Sequence, residues 1–213
     1  FLGQRFEANR TCRLKDKLLS EQFIRLHEQK HYDDWFWMGE QIGKWLDAAA
    51  YSALLARDDD LLARVHELID RLAAAQEPDG YLGITAHYHR NPVRGMELYE
   101  MYYVLLGLVV CYDLLGNKTA LHTADRLAAF ITQRWGDKPG QFPLVGPFPG
   151  NGHDGGEGTL ILEPIVLVGQ RTGNAAYIAW AEASVANWDE WWAQYPTANH
   201  SCGYTAMKEF AAG

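Results

Sequence analysis

Residues 39–82 read GEQIGKWLDAAAYSALLARDDDLLARVHELIDRLAAAQEPDGYL and predict two consecutive helices. Apolar residues recur every three or four positions on each side of the central acidic run, which is the spacing that gives a helix one apolar face. The run from Asp58 to Asp60 breaks the pattern and supplies an N-cap, with negative charge at the positive end of the second helix dipole. Pro78 and Gly80 then end that helix. The stretch therefore predicts an antiparallel helical hairpin.

Junctions like the one at the centre of this hairpin occur twice more. Residues 56–62, 115–121 and 172–178 read ARDDDLL, LGNKTAL and TGNAAYI, and they recur every 57 to 59 residues. Each joins a more apolar helix to a more amphipathic one. A period of this length built from helix pairs predicts a helical repeat in which each pair covers the apolar face of its neighbour. We expect the apolar members, residues 97–116 and 159–171, to lie on the inside.

The expected fold is all-α, a series of helical-hairpin repeats resembling an (α/α)6 toroid, with about four helix pairs in this chain. Because a closed toroid needs six pairs, we expect residues 1–213 to form one α/α-barrel domain of the catalytic type that is cut short at its C-terminus. Residues 1–10 are expected to be irregular, and one helix is expected to run from a cap at Asn9 or Thr11 to about Lys30.

The composition limits the possible partners. The 213 residues carry a formal net charge of −8 and no cluster of Lys or Arg, which argues against nucleic acid or an anionic membrane as the main partner. The longest apolar run, residues 104–112, is far shorter than the roughly 20 residues of a membrane span. The N-terminus, FLGQR, does not have the pattern of a signal peptide. We therefore expect a soluble protein, and the sequence leaves its compartment and its oligomeric state open.

Two segments of the central hairpin are distinctive, GKWLDAAAYS at residues 43–52 and IDRLAAAQEPDGYL at residues 69–82. Both closely resemble the N-terminal half of glycoside hydrolase family 127, the β-L-arabinofuranosidase-like family. The resemblance continues in ELY at 97–99, DLLG at 113–116, LEP at 162–164 and RTG at 171–173. It implies an (α/α)6 barrel followed by β-rich domains, and an enzyme that releases terminal sugars from plant or bacterial glycans.

The resemblance also implies a catalytic apparatus that these residues do not contain. Characterised members of the family use a zinc-bound cysteine as nucleophile and a glutamate as acid/base, but the 213 residues hold no adjacent cysteines and no Glu-x-Cys arrangement. We therefore expect no cofactor or metal ligand set within this chain, and zinc in a full-length protein. A histidine that follows Glu-Leu-Tyr in many members corresponds here to about Tyr103, which makes Tyr103 a candidate for substrate binding. A second family histidine corresponds to about Gly158, with His153 as a shifted substitute.

Two glutamates are predicted to be catalytic. Glycoside hydrolysis normally requires two carboxyl groups, or one carboxyl group and another nucleophile, on opposite sides of the scissile bond. Residues 136–157 are rich in Gly and Pro and predict a long loop of the kind that often carries function. Glu157 ends this loop, and its alternative role is to interact with the positive end of the next helix. Glu163 lies within that apolar helix, where an ionised group is costly unless it is paired or faces a cleft.

Loop residues and aromatic residues are predicted to bind the sugar itself. His153 and Asp154 lie among the glycines of the loop, where they can contact sugar hydroxyl groups. Trp35, Trp37 and Tyr81 lie outside the helical stripes, and a surplus of aromatic rings at helix ends suits the stacking of sugar faces.

Charged residues at the starts of the inner helices have both functional and structural interpretations. Glu97 is a candidate for substrate binding, with capping of its own helix as the alternative. Lys44 and Asp47 on the first inner helix are expected to form a buried pair of structural value.

These features favour a glycoside hydrolase that acts on a terminal furanosyl residue of the β-L-arabinofuranoside type, or on a related sugar of a glycan. Two alternatives stay open. One is an α/α toroid that binds glycans or a partner without cleaving them, and the other is a different α/α-barrel carbohydrate enzyme such as a lyase or an epimerase. The sequence gives neither the sugar nor the linkage nor the stereochemical outcome.

Overall fold

The structure, a computed structural model, describes residues 1–31, 38–90, 96–142, 144 and 160–185. Within those residues it has eight α-helices and no strand, which confirms the expected all-α fold. In chain order the helices are α1 (Leu2–Asn9), α2 (Lys17–Gln29), α3 (Gln41–Ala56), α4 (Asp59–Ala75), α5 (Met96–Leu115), α6 (Lys118–Arg134), α7 (Leu162–Thr172) and α8 (Ala175–Val185), with a π-helical segment at Arg10–Leu14 and a 3-10 turn at His87–His89.

The helices form two layers. α3, α5 and α7 pack side by side as the inner layer, and α2, α4, α6 and α8 pack against them as the outer layer. The outer helix α4 buries one stripe, from Leu61 through Val65 and Leu68 to Leu72, and leaves its other face in solvent. The helices predicted to be inner, α5 and α7, are neighbours in the inner layer, as expected from their apolar composition.

The three equivalent junctions share one local conformation. Arg57, Gly116 and Gly173 each follow an inner helix in the left-handed region, with φ of 52°, 65° and 73°. The next residue in each case is an Asp or Asn whose side chain accepts a backbone N–H of the following helix: Leu61 N to Asp58 Oδ1 at 3.1 Å, Ala120 N to Asn117 Oδ1 at 2.9 Å and Ala176 N to Asn174 Oδ1 at 3.1 Å. A left-handed residue ends one helix and an N-cap begins the next, so two residues suffice to reverse the chain.

The N-terminal region differs from the prediction in two ways. Residues Leu2–Asn9 are helical rather than irregular, and α1 buries no residue, which is why its sequence shows no apolar stripe. The helix expected to run unbroken to Lys30 is interrupted before α2. Asp16 adopts an extended conformation there, and its Oδ1 accepts the N–H of Leu18 at 2.9 Å and of Leu19 at 3.3 Å. Asp16 is therefore an N-cap, which competes with helix continuation at that position.

Glycines allow α3 and α5 to approach at backbone distance. A Cβ built on Gly43 would lie 2.0 Å from the carbonyl oxygen of Tyr103, and one built on Gly107 would lie 2.5 Å from the carbonyl oxygen of Gly43. No side chain fits at either position. This close crossing brings the first turn of α3 against the middle of α5, between Tyr103 and Gly107.

The helix α5 is long and apolar enough to cross a membrane by length and composition from Glu97 to Leu115, and half of that window is buried. A helix in the core of a protein passes the same test. In this structure α5 packs against α3, α6 and α7, and Val104, Leu105 and Leu108 belong to the hydrophobic core.

Candidate functional site

Charged and tyrosine side chains gather where the inner helices begin. The two-residue junctions occupy the opposite end of the hairpins, whereas longer connections, residues 76–95 and 135–161, lead into α5 and α7. Each inner helix places the positive end of its dipole here. We call the following residues the acidic–aromatic end: Glu40, Lys44, Glu97, Tyr99, Glu100, Tyr102, Tyr103 and Glu163.

Lys44 is held between a carboxylate and a tyrosine ring. Its Nζ lies 2.6 Å from Glu40 Oε1 and 4.1 Å from the centroid of the Tyr103 ring, with Tyr99 further away at 6.0 Å. An ammonium group over a ring face gains a cation–π attraction. The expected pair of Lys44 with Asp47 is wrong, because Lys44 reaches back one turn to Glu40. Asp47 is half-buried, and burial raises the pKa of its carboxyl group.

Glu163 is joined to α5 by a tyrosine. The hydroxyl of Tyr102 donates to Glu163 Oε2 at 3.2 Å, and burial together with the charge of Glu163 raises the pKa of Tyr102. The hydroxyl therefore keeps its proton and orients the carboxylate. The rings of Tyr102 and Tyr103 meet edge to face with centroids 4.6 Å apart. Two predicted site residues, Glu163 and Tyr103, thus lie on either side of Tyr102 and are each only partly buried.

Tyr81 and Glu97 form a second, fully buried pair. The Tyr81 hydroxyl donates to Glu97 Oε1 at 3.0 Å and accepts the N–H of Thr85 at 3.2 Å. The guanidinium carbon of Arg90 lies 3.4 Å from the centroid of the Tyr81 ring, and the edge of Phe130 contacts the ring as well. Sugar stacking on Tyr81 stays a prediction, and in this conformation Arg90 covers the ring. The contact that the structure describes is instead the hydrogen bond that fixes Glu97.

The turn after α4 places Tyr81. Glu77 donates its N–H to Tyr81 O at 3.0 Å, and Gly80 donates its N–H to Glu77 O at 2.9 Å. Gln76 Nε2 donates to Gly80 O at 2.9 Å and to Thr123 O of α6 at 3.1 Å. A Cβ at Gly80, whose φ is +98°, would lie 2.4 Å from the carbonyl oxygen of Arg126. The segment QEPDGYL, residues 76–82, therefore packs against α6 and places the side chain of Tyr81 next to Glu97 of α5.

Glu100 is almost fully buried one helical turn beyond Glu97. Its Oε1 accepts the N–H of Gly39 at 3.2 Å, and the carbonyl of that same glycine lies 3.1 Å from His27 Nε2 of α2. Burial raises the pKa of Glu100 to about 8, and the charges of Glu97 and Glu40 add to the rise. Burial also lowers the pKa of His27 to about 4. Both groups are therefore mainly uncharged at pH 7.

Five predicted site residues lie outside the described residues: Trp35, Trp37, His153, Asp154 and Glu157. Their roles stay predictions. Sequence analysis missed Glu40 as the partner of Lys44, although their i,i+4 spacing is a known helix pairing. It also assigned Glu100 no site role, although a second glutamate in a helix that is apolar nearly all round is a sign of a buried, paired carboxyl group.

The described residues do not offer a zinc site. No group of three or more His, Cys, Asp or Glu side chains with metal-binding geometry occurs in the part of the chain that the structure describes. A structural or catalytic zinc needs at least three such donors, so no catalytic step is assigned to zinc here. What these residues can do is bind sugar hydroxyl groups through carboxylates and tyrosines, and present half-buried tyrosine rings to a sugar face.

Comparison with known proteins finds relatives in one family of glycoside hydrolases. The chain is 30% identical over 108 residues to the non-reducing end β-L-arabinofuranosidase of Bifidobacterium longum subsp. longum, an alignment covering 46% of this chain and 16% of that protein. A solved GH127 β-arabinofuranosidase superposes with a TM-score of 0.67 and 21% identity over 88% of this chain and 32% of its own. The GH127 β-L-arabinofuranosidase of Geobacillus stearothermophilus T6 superposes with a TM-score of 0.60 and 23% identity over 86% of this chain and 29% of its own.

At these identities the two solved structures establish the shared fold, and this chain spans about a third or less of the length of each relative. The family description "Beta-L-arabinofuranosidase, GH127 catalytic domain" matches residues 6–197, which is most of the chain. The chain therefore belongs to the GH127 β-L-arabinofuranosidase catalytic-domain family of glycoside hydrolases.

Proposed function

We propose that the protein is a glycoside hydrolase that releases a terminal β-L-arabinofuranosyl or closely related furanosyl residue from a glycan, and that the acidic–aromatic end forms part of its substrate-binding surface. The observation that carries the proposal is the pair of Tyr102 and Glu163 in a chain of this family. The partly exposed carboxylate of Glu163 is oriented by the Tyr102 hydroxyl at 3.2 Å, and the ring of Tyr102 in turn contacts the ring of Tyr103.

The chemistry of this pair suits a sugar. Carboxylate oxygens accept hydrogen bonds from two adjacent sugar hydroxyl groups, and the Tyr103 ring supplies an apolar face. Tyr102 restricts the rotamers of Glu163 before substrate arrives, which lowers the entropy cost of binding. The buried pair of Tyr81 and Glu97 supports this surface from the turn after α4, and the pair of Lys44 and Glu40 supports it from the start of α3.

We propose Glu163 as a catalytic or substrate-orienting carboxylate and Glu157 as its partner, because hydrolysis of a glycoside uses two such groups. If either carboxylate exchanges a proton with the substrate, replacing it by the isosteric amide removes that exchange and keeps the shape. The loss expected for a general acid or base is about 100-fold or more in kcat.

The test is a screen of the full-length protein with p-nitrophenyl furanosides and pyranosides, including the β-L-arabinofuranoside, followed by kinetics of Glu163→Gln and Glu157→Gln on the best substrate. Glu182→Gln, the same change at an exposed position of α8, is the control. Wild-type turnover with loss in one or both site variants supports the proposal. Unaltered turnover in both site variants contradicts the site assignment.

A glycan-binding protein without activity would give a different result. It would cleave nothing in the panel, yet arabinose-containing oligosaccharides would bind in calorimetry. Formation of unsaturated or isomerised sugar products would point instead to a lyase or an epimerase.

A further inference from the structure

Gly39 lies in the turn Met38–Glu40 that precedes α3, and buried side chains from two other helices hold it. Its N–H donates to Glu100 Oε1 of α5 at 3.2 Å, and its carbonyl oxygen lies 3.1 Å from His27 Nε2 of α2. Both contacts are buried. A Cβ on Gly39 would lie 2.6 Å from Glu100 Oε2, so the carboxyl group packs directly on the backbone of the turn.

The turn in its entirety depends on these contacts. Glu40 occupies the N-cap position of α3, but its side chain makes no capping hydrogen bond. Glu100 instead holds the residue before the N-cap, because it accepts the N–H of Gly39 from a neighbouring helix. Gln41 N donates to Met38 O at 3.2 Å, so the residues of the turn move together.

Glu40 connects the turn to the acidic–aromatic end. Its Oε1 holds Lys44 Nζ at 2.6 Å, and that ammonium group lies 4.1 Å from the centroid of the Tyr103 ring. Lys44 is partly exposed, with a side-chain exposure of 38%, and has no second ion-pair partner among the described residues. Movement of the turn relative to α5 would therefore change where Lys44 sits over Tyr103.

We propose that Glu100 is a positioning residue for the acidic–aromatic end: it holds the Met38–Glu40 turn against α5, and through Glu40 it fixes the ammonium group of Lys44 over Tyr103. Its effect on catalysis rests on the proposed function, whereas its effect on Lys44 does not. Glu100 itself is too deeply buried to touch a substrate, with a residue exposure of 4%.

The charges around Glu100 make this contact sensitive to pH. The titratable and charged groups that face it are Glu97 on α5, Glu40 and Lys44 at the start of α3, Tyr81 and Arg90 next to Glu97, and His27 on α2. Burial lowers the pKa of His27 and raises that of Tyr81, so both are neutral near pH 8. Ionised Glu100 would be a third carboxylate beside Glu97 and Glu40, and Glu40 Oε2 is already buried without a hydrogen-bond partner.

The sign of the pH effect follows from the raised pKa. Burial raises the pKa of Glu100 to about 8 in the folded protein, from about 4.5 for a glutamate in an unfolded chain. Between those values the folded state binds a proton that the unfolded state has lost, so this contribution to stability decreases as the pH rises from about 4.5 to about 8 and is constant above. Above pH 8 the folded protein itself carries the ionised group, whose carboxylate still accepts the N–H of Gly39.

Two variants separate the contact from the charge. Glu100→Gln keeps an acceptor for Gly39 N–H and removes the ionisation, whereas Glu100→Ala removes both. Glu182→Gln, on the exposed face of α8, is the control. The first readout is the acetylation rate of Lys44 in the full-length protein by peptide mass spectrometry, relative to that of Lys118, which is exposed on α6. We expect Glu100→Ala to raise the Lys44 rate several-fold, and Glu100→Gln to leave it near the wild-type value at pH 7.

The second readout is the pH dependence of thermal unfolding, together with kcat/KM at pH 7 on the substrate found in the screen. The Tm of Glu100→Gln relative to wild type should increase from pH 5 to pH 8 and then level off. At pH 7, Glu100→Ala should lose about 10-fold in kcat/KM, mainly through KM, whereas Glu100→Gln should stay near the wild-type value.

Three results would overturn the proposal. They are an unchanged Lys44 rate in Glu100→Ala, a Tm difference that does not depend on pH, or a loss of kcat/KM in Glu100→Gln as large as that in Glu100→Ala. If no glycoside is cleaved, the proposed function fails, and the acetylation and unfolding measurements still decide the role of Glu100.

Discussion

Gly107 of α5 lies against Gly43 of α3 so closely that a Cβ on Gly107 would be 2.5 Å from the Gly43 carbonyl oxygen and 3.0 Å from its Cα. This crossing sets the spacing of the first two inner helices. Because Lys44 directly follows Gly43, it also sets the distance from Lys44 to Tyr103. A glycine in the middle of a helix normally costs stability, so its presence here needs a packing reason, and the crossing provides it.

Gly107→Ala should therefore destabilise the protein. Alanine raises helix propensity by about 1 kcal/mol, but its methyl group would overlap backbone atoms that cannot rotate away, and overpacking of this kind costs about 1–3 kcal/mol. Urea unfolding followed by circular dichroism would measure the change. Gly3→Ala is the control, because no atom lies within 4 Å of a Cβ at that position. A Gly107→Ala protein as stable as wild type would contradict the tight crossing.

Arg57→Gly should stabilise the first hairpin. Arg57 adopts φ of 52°, a conformation that Gly116 and Gly173 supply at the two equivalent junctions. A side chain in the left-handed region costs roughly 1–2 kcal/mol. Glycine removes this cost but raises the entropy of the unfolded chain, which offsets part of the benefit, so we expect the free energy of unfolding to increase by about 0.5 kcal/mol. Thermal unfolding would detect it. Arg57→Ala keeps the strained conformation and should show no such gain; equal behaviour of the two variants would argue against backbone strain.

Tyr102→Phe should lower activity without unfolding the protein. The change removes the hydroxyl that donates to Glu163 Oε2 at 3.2 Å and keeps the ring next to Tyr103. A freely rotating Glu163 should cost about 10-fold in kcat/KM. In a double-mutant cycle with Glu163→Gln, the second change should add little to the first, because the two residues act as one unit. Fully additive losses would show that Tyr102 and Glu163 act independently.

His27 should make the protein sensitive to acid. Burial lowers its pKa to about 4, whereas an unfolded chain has a histidine pKa of about 6.5. Below that value the unfolded chain gains a proton that the folded protein does not bind. The His27 contribution to stability should therefore fall between about pH 6.5 and pH 4, by at most about 1.4 kcal/mol per pH unit. His27→Gln should be less stable at pH 7, since it loses the contact with Gly39, yet should show a shallower decline in acid.

The control for that measurement is His122→Gln, a change at an exposed histidine of α6. The stability of His122→Gln should decrease in acid as much as that of the wild-type protein. Parallel declines of wild type and His27→Gln would mean that His27 is not the group responsible.

The repeat could be predicted from the sequence because its signals are local. The junctions at 57–58, 116–117 and 173–174 each place an Asp or Asn N-cap after a left-handed residue, and at two of them that residue is a glycine, which adopts this conformation readily. The interruption at Asp16 is equally local, but there the apolar pattern continues from Leu14 to Leu18 across the break and predicted an unbroken helix. A side-chain cap competed with the periodic pattern, and the cap determined the structure.

The contacts of the site could be predicted only in part. Glu97 and Glu163 were recognisable as charged groups in apolar helices, and Tyr103 followed from the family resemblance. The structure brings all three to the acidic–aromatic end. Which partner each would take depends on side chains from distant parts of the chain: Tyr81 reaches Glu97 across 16 residues and Tyr102 reaches Glu163 across 61. Sequence spacing on one helix contains no information about such partners, so Tyr81 was assigned to stacking and Lys44 to Asp47.

The two-residue junctions all connect their helices at the end of the bundle away from Glu163. The two ends of the bundle therefore have different roles. At the end with the two-residue junctions, the length of each junction is fixed, because deleting or adding a residue would displace a cap and the helix that follows it. At the other end the connections are long, so segments there can be exchanged while the helices keep their places. If the proposed function holds, an exchange of the connection before α7 that is meant to alter sugar preference must keep Trp135, Leu144 and Ile161, because these three residues are buried in the core.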